Sequence, residues 1–452
     1  MTNPKIFKAY DIRGLYPNEL NEEAAYDVGR SFAVYLKAKT IIVGRDTRLS
    51  SPALAENIIK GITDQGVDVI DIGLCSTSCF YFAVGELDAD GALMVTASHA
   101  PKEFNGFKPV LRGNVALTRE EVSKLKDLTV EGNLPTPEAK GTIIKKDFSD
   151  NYVQAVKGSI KEKMKPLKIV LDAGNGMAGM YMEKIFADTG LEVVPLFAEL
   201  DGNFPNHETN PKIPENRTKL EEAIISEKAD LGFMFDGDAD RMYILDRQGR
   251  VVDPSLVSAI ISEYRVKNSS QKKVVIEVRT SKVVRDWVEK AGGSIILSVC
   301  WTIPIKLAMQ ADPEVVFGSE TSGHYVFPEL HEADDGLMAT LAFLQAISVK
   351  DESIDEIIKN FKEKYFVLEE INFEMPNMEE ADKIFKKLED SYSAQGAQIL
   401  KIDGVSVIFP DWKFNLRKSE TEPVIRLNLD ADSENLFEEK KAEVIAKIKE
   451  NL

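Results

Sequence analysis

Two polar segments, each placed directly after an apolar run, carry the residues of this chain that are best suited to chemistry. Thr96–His99 offers the hydroxyl of Ser98 after the run Gly91–Val95. Asp236–Arg241 follows the run Leu231–Phe235 and offers three carboxylates at alternate positions: Asp236, Asp238 and Asp240. A hydroxyl that can carry a phosphoryl group and carboxylates that can hold a hard divalent cation together indicate phosphoryl transfer.

Taken alone, the serine segment has an ordinary alternative. Ser98 is not in a Gly-x-Ser-x-Gly turn, so a hydrolase triad gains little support. A serine that follows a strand is most often a turn or cap residue, and we expect the side chain of the adjacent His99 to diverge from it, so His99 need not act as its base. Lys108 and its neighbours Lys102–Gly106 favour the catalytic interpretation, because they bring cations and an amide close to Ser98.

The acidic segment carries a stronger signal. Three carboxylates this close repel one another unless a cation neutralises them, and all-carboxylate ligation suits Mg²⁺ better than zinc. A calcium-binding EF-hand is excluded, because its required glycine and glutamate positions hold Arg241 and Arg247 here. The remaining alternative is an exposed acidic turn.

Two further loops could bind a phosphorylated sugar. Glu320, Ser322 and His324 lie on a glycine-flanked loop, where they could accept hydrogen bonds from hydroxyls and relay protons, or simply form a turn. Arg417–Arg426 joins two predicted strands and could form a phosphate cradle from Arg, Ser and Thr, or a solvated charged hairpin.

Other segments are interpreted as structural or solvated. The loops Tyr10–Gly14 and Gly44–Arg48 add arginines, and we expect these to be solvated, as exposed loop arginines usually are. Three glycines match the spacing of a dinucleotide-binding fingerprint: Gly174, Gly176 and Gly179. Because only one of three similar segments has this spacing, we interpret the glycines as a tight turn with close packing.

The bulk composition limits the function further. A chain of 452 residues is long enough for about three domains, and 44% hydrophobic content is ordinary for a soluble protein. The net charge of −18 opposes a nucleic-acid role, so an anionic substrate needs a local positive pocket. Three cysteines give no disulfide framework, and the absence of a signal stretch or an apolar run of about 18 residues predicts a cytoplasmic protein without a membrane span.

Short β-branched runs alternate with amphipathic stretches in a pattern that recurs three times. The first strands of the three copies are predicted at 40–44, 168–172 and 273–277, and each copy ends in a strand followed by a polar loop. Because ligands bind beyond the carboxyl ends of strands in open α/β sheets, three such loops could face one cleft. After about Tyr365 the pattern changes to an α+β type, with one strand expected over Phe366–Phe373.

We therefore predict an α/β protein with three similar mixed α/β domains and a C-terminal α+β domain around one central cleft. The predicted domains are 1–148 with the Ser98 loop, 149–255 with the acidic loop, 256–366 with the Glu320 loop and 367–452 with the Arg417 loop.

Taken together, these segments resemble the α-D-phosphohexomutase family, in its phosphomannomutase/phosphoglucomutase branch. The resemblance rests on six segments that follow the family's order along the whole chain: Phe7–Gly14, Thr96–Pro101, Phe104–Lys108, Asp236–Arg241, Gly318–His324 and Arg417–Arg426. The family has three similar α/β domains and a smaller α+β domain, in agreement with the repeat.

The resemblance implies a role for each matching residue. Ser98 would be the phosphoserine, and it would ligate Mg²⁺ together with Asp236, Asp238 and Asp240. The catalytic residues beside the transferred group would be Arg13, Lys108, Arg241 and His324. The substrate-binding residues would be Tyr10, His99, Arg279, Glu320, Ser322, His324, Arg417, Ser419, Thr421 and Arg426.

The implied reaction interconverts hexose 1-phosphate and hexose 6-phosphate, of mannose or glucose, with a hexose 1,6-bisphosphate as intermediate and activator. The implied partner is the phosphorylated hexose, with no nucleic acid and no membrane, for a monomer or weak homo-oligomer. A phosphoglucosamine mutase is an alternative, although Phe104–Lys108 differs from the segment usual in that branch. A non-catalytic sugar-phosphate binding protein is another, motivated by Glu420 and by the segment Cys300–Pro304, which departs from the family pattern. A magnesium-dependent phosphatase is a third.

Overall fold

A computed structural model describes residues 2–375, 377–419 and 422–452. The chain forms two compact units. The first runs to Val251 and includes Ser322–Ser348, and the second comprises Val252–Thr321 and Val349–Leu452. The predicted domain boundaries near residues 148, 255 and 366 stay predictions.

The first repeat lies in the first unit and builds its largest sheet. Its strands are β1 (Ile12–Leu15), β2 (Thr40–Arg45), β3 (Asp68–Leu74), β4 (Gly91–Val95), β5 (Phe104–Leu111), β6 (Val115–Ala116) and β7 (Ile143–Lys145). Its helices are α1 (Glu22–Leu36), α2 (Ser51–Asp64), α3 (Thr77–Glu86), α4 (Arg119–Glu131) and α5 (Ser149–Gly158). The strand order is β1-β5-β4-β2-β3-β7, with β6 paired to β5. All residues of β4 are buried, as expected for a central parallel strand that carries the serine at its carboxyl end.

The second repeat forms a smaller sheet of the same unit. Its helices are α6 (Met182–Phe186) and α7 (Pro214–Glu227), and its strands are β8 (Lys168–Asp172), β9 (Glu192–Leu196), β10 (Leu231–Phe235) and β11 (Met242–Asp246). The order is β11-β10-β8-β9, where β8, β9 and β10 are parallel and β11 is antiparallel. The fully buried strand β10 leads directly into the acidic loop, Asp236–Arg241, as β4 leads into the serine loop, Thr96–Phe104.

The third repeat begins in the second unit. Its helices there are α8 (Pro254–Lys267), α9 (Lys282–Lys290) and α10 (Thr302–Ala311), and its parallel strands are β12 (Lys273–Glu277), β13 (Ser294–Ser298) and β14 (Val315–Glu320). In all three repeats the first strand lies between the second and the third, which confirms the predicted threefold repeat. The chain then contributes β15 (His324–Phe327), β16 (Ala333–Asp334) and the buried helix α11 (Gly336–Ser348) to the first unit.

The rest of the second unit is the predicted α+β region. Its helices are α12 (Ile354–Lys364), α13 (Glu379–Ser393) and α14 (Glu434–Lys449), and its strands are β17 (Phe366–Val367), β18 (Ile371–Glu374), β19 (Gln398–Leu400), β20 (Val405–Ile408), β21 (Trp412–Lys418) and β22 (Val424–Ala431). The antiparallel order is β17-β22-β21-β20-β19, and β18 also pairs with β22. In the described parts of the chain, no helix is long and apolar enough to cross a membrane.

The prediction of a single strand over Phe366–Phe373 was wrong, because this segment forms two strands, β17 and β18. The chain advances four positions from Val367 to Ile371, while β22 advances three from Asp430 to Leu427. The extra residue interrupts the ladder as a bulge does. Otherwise the predicted architecture of three similar α/β regions and a C-terminal α+β region is confirmed.

Candidate active site

Ser98 lies in a strained turn immediately after β4. Its φ angle is +52°, in the left-handed region that is unfavourable for a residue with a Cβ, and only 3% of its surface is exposed. Its backbone N–H donates to Thr96 Oγ1 at 3.0 Å, and its hydroxyl donates to Asp236 Oδ2 at 2.9 Å. The turn therefore points the serine oxygen at the acidic loop of the second repeat.

The expectation that the side chains of Ser98 and His99 diverge was wrong. The left-handed conformation of Ser98 brings its Oγ to 3.2 Å from His99 Nδ1. Arg241, together with burial and the nearby Arg13, holds the pKa of His99 well below its usual range. His99 is therefore a neutral imidazole within a group of cations.

The acidic cluster, defined as Asp236, Asp238 and Asp240, is fully buried rather than an exposed turn. Each residue offers one carboxylate oxygen, and these oxygens all lie within 4.8 Å of one another. Lys108 Nζ donates to Asp238 Oδ2 at 2.8 Å and to Asp240 Oδ2 at 2.6 Å. Burial, and then the charges of Asp240 and Asp238, raise the pKa of Asp236 well above its usual value.

The pKa of Lys108 indicates the protonation state of its side chain beside the acidic cluster. Burial alone would lower the pKa of Lys108, but Asp238 and Asp240 raise it well above its usual value. The side chain is therefore an ammonium ion that neutralises part of the cluster. Lys108 and Arg241, whose Nε lies 3.6 Å from Asp236 Oδ2, set two positive charges against three acidic side chains.

The cluster has the donors that a hard divalent cation requires. Within the described part of the chain, Asp238 Oδ1 and Asp240 Oδ1 are buried and have no hydrogen-bond partner. Buried carboxylate oxygens without partners are costly unless a cation or a donor reaches them. The three residues, with the Ser98 oxygen beside Asp236, thus fit an oxygen-ligated metal such as Mg²⁺.

A second set of polar residues adjoins this cluster. Arg241 Nε donates to His324 Nε2 at 2.9 Å, and His324 Nδ1 lies 2.8 Å from Asp334 Oδ2. Because Nε2 accepts a hydrogen bond, the proton of a neutral ring lies on Nδ1, which faces Asp334. Asp240, His324 and Asp334 also form a group close enough to share a cation, but its mixed nitrogen and oxygen donors suit Mg²⁺ less well.

Of three further residues in this region, Thr77 and Asp334 were not singled out from the sequence. Thr77, the first residue of α3, donates its hydroxyl to Asp238 Oδ2 at 2.5 Å and its N–H to Asp238 O at 3.1 Å. Asp334 orients His324, and Arg48 supports the serine loop. The signal for Thr77 is that polar residues also follow the second strand of the first repeat, at Ser76–Ser78.

The expectation that the Gly44–Arg48 arginines are solvated was wrong for Arg48. Its side chain is fully buried, because its guanidinium group donates hydrogen bonds to backbone carbonyls of the serine loop. The glycine fingerprint, in contrast, has the structural role that we inferred. A Cβ on Gly179 would lie 2.0 Å from Ala198 O, and one on Gly176 would lie 2.7 Å from Gly237 O. Both glycines therefore permit close backbone packing.

In the second unit, Arg279 and Glu320 lie together. Arg279 Nη2 donates to Glu320 Oε1 at 3.1 Å, and its Nε donates to Glu277 Oε1 at 3.0 Å. Burial would raise the pKa of Glu277, but Arg279 and the hydroxyl of Thr321 lower it to about 2. Thr302 donates its hydroxyl to the other oxygen of Glu320 at 2.8 Å.

The arginines of the predicted phosphate loop share one glutamate. Arg417 Nη2 lies 3.0 Å from Glu370 Oε2, and Arg426 Nη1 lies 3.5 Å from Glu370 Oε1. The Nε atoms of both arginines are buried without a hydrogen-bond partner among the residues described. Ser419 N–H donates to Val424 O at 2.9 Å, while Thr421 and Glu420 lie outside the described residues.

The remaining predicted residues lie in the first unit. Arg13 Nη2 pairs with Asp11 Oδ2 at 2.6 Å, and the Tyr10 ring lies 5.1 Å from the guanidinium carbon of Arg119. Ser322 Oγ is buried, and no hydrogen-bond partner is found for it in the described chain. The structure therefore groups Ser98, His99, Lys108, Arg241, His324 and the acidic cluster in this unit.

Comparison with known proteins places this geometry in a family. Models of the phosphoglucomutase/phosphomannomutase α/β/α domains I, II and III match residues 4–134, 150–249 and 253–365. The model of the family's C-terminal domain matches residues 370–447.

Relatives with this architecture match over nearly the whole chain. A phosphomannomutase of Escherichia coli is 35% identical over 434 residues, covering 94% of each chain. A phosphoglucomutase of Neisseria gonorrhoeae is 34% identical over 438 residues, covering 96% of this chain and 94% of the relative. The crystal structure of a phosphoglucomutase/phosphomannomutase family protein from Burkholderia thailandensis superposes with a TM-score of 0.90 at 30% identity, covering 100% of this chain and 98% of that one. The chain belongs to the phosphoglucomutase/phosphomannomutase family.

Proposed function

We propose that this protein interconverts hexose 1-phosphate and hexose 6-phosphate, of mannose or glucose, with Ser98 as the phosphoryl carrier. One observation carries the proposal: the Ser98 hydroxyl lies 2.9 Å from a carboxylate of a buried acidic cluster that also holds Lys108. The names of the relatives support the substrate class. In this site a phosphoryl group on Ser98 would lie beside the acidic cluster, where a bound divalent cation could offset its negative charge.

The proposed reaction starts from phosphoserine at Ser98. The O1 or O6 hydroxyl of the bound sugar attacks phosphorus, the bond from phosphorus to Ser98 Oγ breaks, and a hexose 1,6-bisphosphate forms. The other phosphoryl group then returns to Ser98 Oγ, which releases the isomer. Hexose 1,6-bisphosphate is also the activator that phosphorylates a serine lacking its phosphate.

Two side chains are suited to the proton and charge movements. Nε2 of His324 accepts a hydrogen bond from Arg241 Nε, and it would accept the proton of the attacking hydroxyl once the bound sugar replaces that contact. Lys108 is an ammonium ion, and with Arg241 and Arg13 it would stabilise negative charge on the transferred oxygens.

We propose Mg²⁺ as the metal, held by Ser98, Asp236, Asp238 and Asp240. When bound, Mg²⁺ supplies electrostatic stabilisation of the phosphoryl oxygens. The carboxylate oxygens of Asp238 and Asp240 that lack partners support this assignment.

The remaining residues are assigned to substrate binding. We propose that Glu320 and Ser322 bind hydroxyl groups of the sugar, since the buried Ser322 Oγ has no hydrogen-bond partner among the described residues. Arg279, His99 and Tyr10 are also assigned to substrate binding. The phosphate that is not transferred would bind Arg417 and Arg426, whose Nε donors lack partners, together with Ser419 and Thr421. Phosphate accepts such donors readily from arginine.

The test combines a phosphorylation measurement with a turnover assay. Incubation with glucose 1,6-bisphosphate should add one phosphoryl group to the Ser98 peptide, and glucose 1-phosphate or mannose 1-phosphate should then be converted to the 6-phosphate. EDTA should stop the conversion and Mg²⁺ should restore it. Ser98→Ala should lower kcat by about 10⁴-fold or more, because the nucleophile is lost.

Ser31→Ala is the matched control, since Ser31 is a buried serine in α1 of the same unit. It should turn over at the rate of the unmodified protein. Undiminished activity of Ser98→Ala would refute the proposal. Faster conversion of glucosamine phosphates would assign the neighbouring amino-sugar activity instead, and binding without turnover would indicate a non-catalytic protein.

We further propose a cytoplasmic enzyme that acts as a monomer or weak homo-oligomer without nucleic acid or membrane partners. Sedimentation at micromolar concentrations tests the oligomeric state. Predominant formation of a stable larger assembly would contradict it.

A further inference from the structure

Arg48 lies three residues after the end of β2. Both terminal nitrogens of its side chain donate hydrogen bonds to the serine loop, defined as Thr96–Phe104. Its Nη2 donates to Ser98 O and Ala100 O at 2.7 Å each. Its Nη1 donates to Pro101 O at 2.9 Å and to Phe104 O at 3.0 Å. Four carbonyls of one loop thus converge on one guanidinium group.

The guanidinium group is itself held on its other side. Arg48 Nε lies 3.3 Å from Asp46 Oδ2, and the Arg48 N–H donates to Asp46 Oδ1 at 3.0 Å. Asp46 N–H donates to Val95 O, the last carbonyl of β4, at 3.0 Å. The Phe204 ring lies 5.3 Å from the guanidinium carbon. The pair therefore ties the serine loop to the ends of two adjacent strands.

The serine loop needs such support for a physical reason. The left-handed conformation of Ser98 costs about 1–2 kcal/mol and persists only where surrounding contacts determine it. A phosphoryl group on Ser98 would add a charge of about −1.5 to −2 to this turn. Phosphoryl transfer requires the attacking and leaving oxygens to lie in line with phosphorus. A serine loop that changed conformation, with Ser98 phosphorylated or not, would therefore slow the transfer.

The third repeat has an acid and an arginine at the equivalent place, although their contacts differ. Glu277 ends β12, and its carboxylate accepts the N–H of Arg279, two residues on, at 2.7 Å. The same carboxylate accepts the hydroxyl of Thr321, in the loop that follows the third strand, at 2.6 Å. The turn after the first strand therefore contacts the loop after the third strand in both repeats, through the arginine in the first and through the acid in the third.

We infer that Arg48 is a positioning residue, which holds the Ser98 oxygen in the geometry required for phosphoryl transfer while contacting neither substrate nor metal. This inference rests on the proposed function. It predicts that loss of the guanidinium fork lowers kcat and slows phosphorylation of Ser98, with little change in KM.

The experiment uses Arg48→Lys, because an ammonium group has three N–H donors and cannot form the planar fork. The rate of Ser98 phosphorylation by glucose 1,6-bisphosphate and the kcat for glucose 1-phosphate should both fall by about 10²-fold, as expected for a displacement of about 1 Å. Asp46→Asn keeps the guanidinium group but weakens its anchor, and it should lower both rates less. It also provides the test if Arg48→Lys does not fold.

Two controls separate positioning from general stability. Arg265→Lys alters a contact of the same kind in the second unit, where Nε donates to Val316 O at 2.8 Å. Ile62→Ala destabilises the core of the first repeat. Both should keep the phosphorylation rate of the unmodified protein at temperatures where they stay folded.

The outcomes are distinct for the two proposals. Suppose that the unmodified protein phosphorylates Ser98 and turns over, and that Arg48→Lys does so equally fast. The role of Arg48 is then refuted, while the proposed function stands. Asp46→Asn is judged in the same way if the lysine variant is unfolded. An equal fall in the phosphorylation rate of Ile62→Ala also refutes it, because the effect is then one of stability. If the unmodified protein neither phosphorylates Ser98 nor turns over, both proposals fail.

Discussion

Replacing Lys108 by methionine tests the electrostatics of the acidic cluster directly. The ammonium group lies 2.8 Å from Asp238 Oδ2 and 2.6 Å from Asp240 Oδ2, and both carboxylates are buried. Methionine is similar in length but carries no charge. The variant therefore leaves three buried carboxylates with one neutralising partner fewer.

The size of the effect follows from this geometry. At an effective dielectric constant of about 20, an ion pair at roughly 3 Å has a Coulomb energy of about 5–6 kcal/mol. The cost of desolvating the charges offsets part of it, and removal of one partner from a buried pair costs about 3–5 kcal/mol. We expect Lys108→Met to lower the free energy of unfolding by this amount in EDTA.

Mg²⁺ should change the result in a specific direction. Because the variant's cluster is one unit more negative, Mg²⁺ should bind it more tightly and raise its stability more than that of the unmodified protein. Urea denaturation followed by circular dichroism, in EDTA and in Mg²⁺, measures both effects. Lys124→Met is the control, since Lys124 pairs with exposed Glu120 on α4 and should change neither quantity appreciably.

Two results would refute the reasoning. Equal stability of Lys108→Met and the unmodified protein in EDTA would show that the ion pairs are not energetically important. If Mg²⁺ raised the free energy of unfolding of both proteins equally, the metal would not replace the charge of the lysine in this cluster.

Two further predictions concern pH and packing. The pKa of Glu277 is lowered to about 2 from 4.5, so its stabilising charge is present above pH 4.5 and is lost as pH falls towards 2; the shift corresponds to up to about 3 kcal/mol. Urea denaturation between about pH 6 and 3 should therefore show a shallower loss for Glu277→Gln, and parallel pH profiles would contradict this assignment. Gly179→Ala should cost about 1–3 kcal/mol or more, because its Cβ would meet Ala198 O. An unaltered unfolding midpoint would contradict this packing role. NAD⁺ titration of the unmodified protein should show no binding, and saturable binding would favour the dinucleotide interpretation.

The repeat and the placement of its polar loops could be predicted from the sequence because both depend on local patterns. Alternating apolar runs specify parallel strands, and the carboxyl ends of such strands lie at one edge of a sheet. Ser98 and the acidic cluster were found in this way. Their burial was not predicted, because the sequence left an exposed acidic turn as an alternative; in the structure both follow fully buried strands, β4 and β10.

The supporting contacts could not be predicted, because they depend on which strands become neighbours. Arg48 and Ser98 are 50 positions apart, and they meet because β2 lies beside β4 in the sheet. Thr77 reaches Asp238 across 161 positions and between two repeats. The contact of Ser98 with His99 depended on a positive φ angle at a residue that is not glycine, which no propensity predicts.

The three repeats divide support and chemistry between two of their strands. At the end of the first strand of each copy, or one residue after it, an acid accepts the N–H two residues on: Asp46 from Arg48, Asp172 from Gly174 and Glu277 from Arg279. The loops after the third strands share no such pattern, since they carry a serine, three aspartates and a glutamate respectively. Because the acid turn lies beside the third strand in each sheet, it can hold loops of different chemistry in place. The acid turn after the first strand is therefore common to the repeats, while the loop after the third strand carries a different functional group in each. The functional groups could be recognised from residue type, whereas the contacts that hold their loops depend on strand pairing.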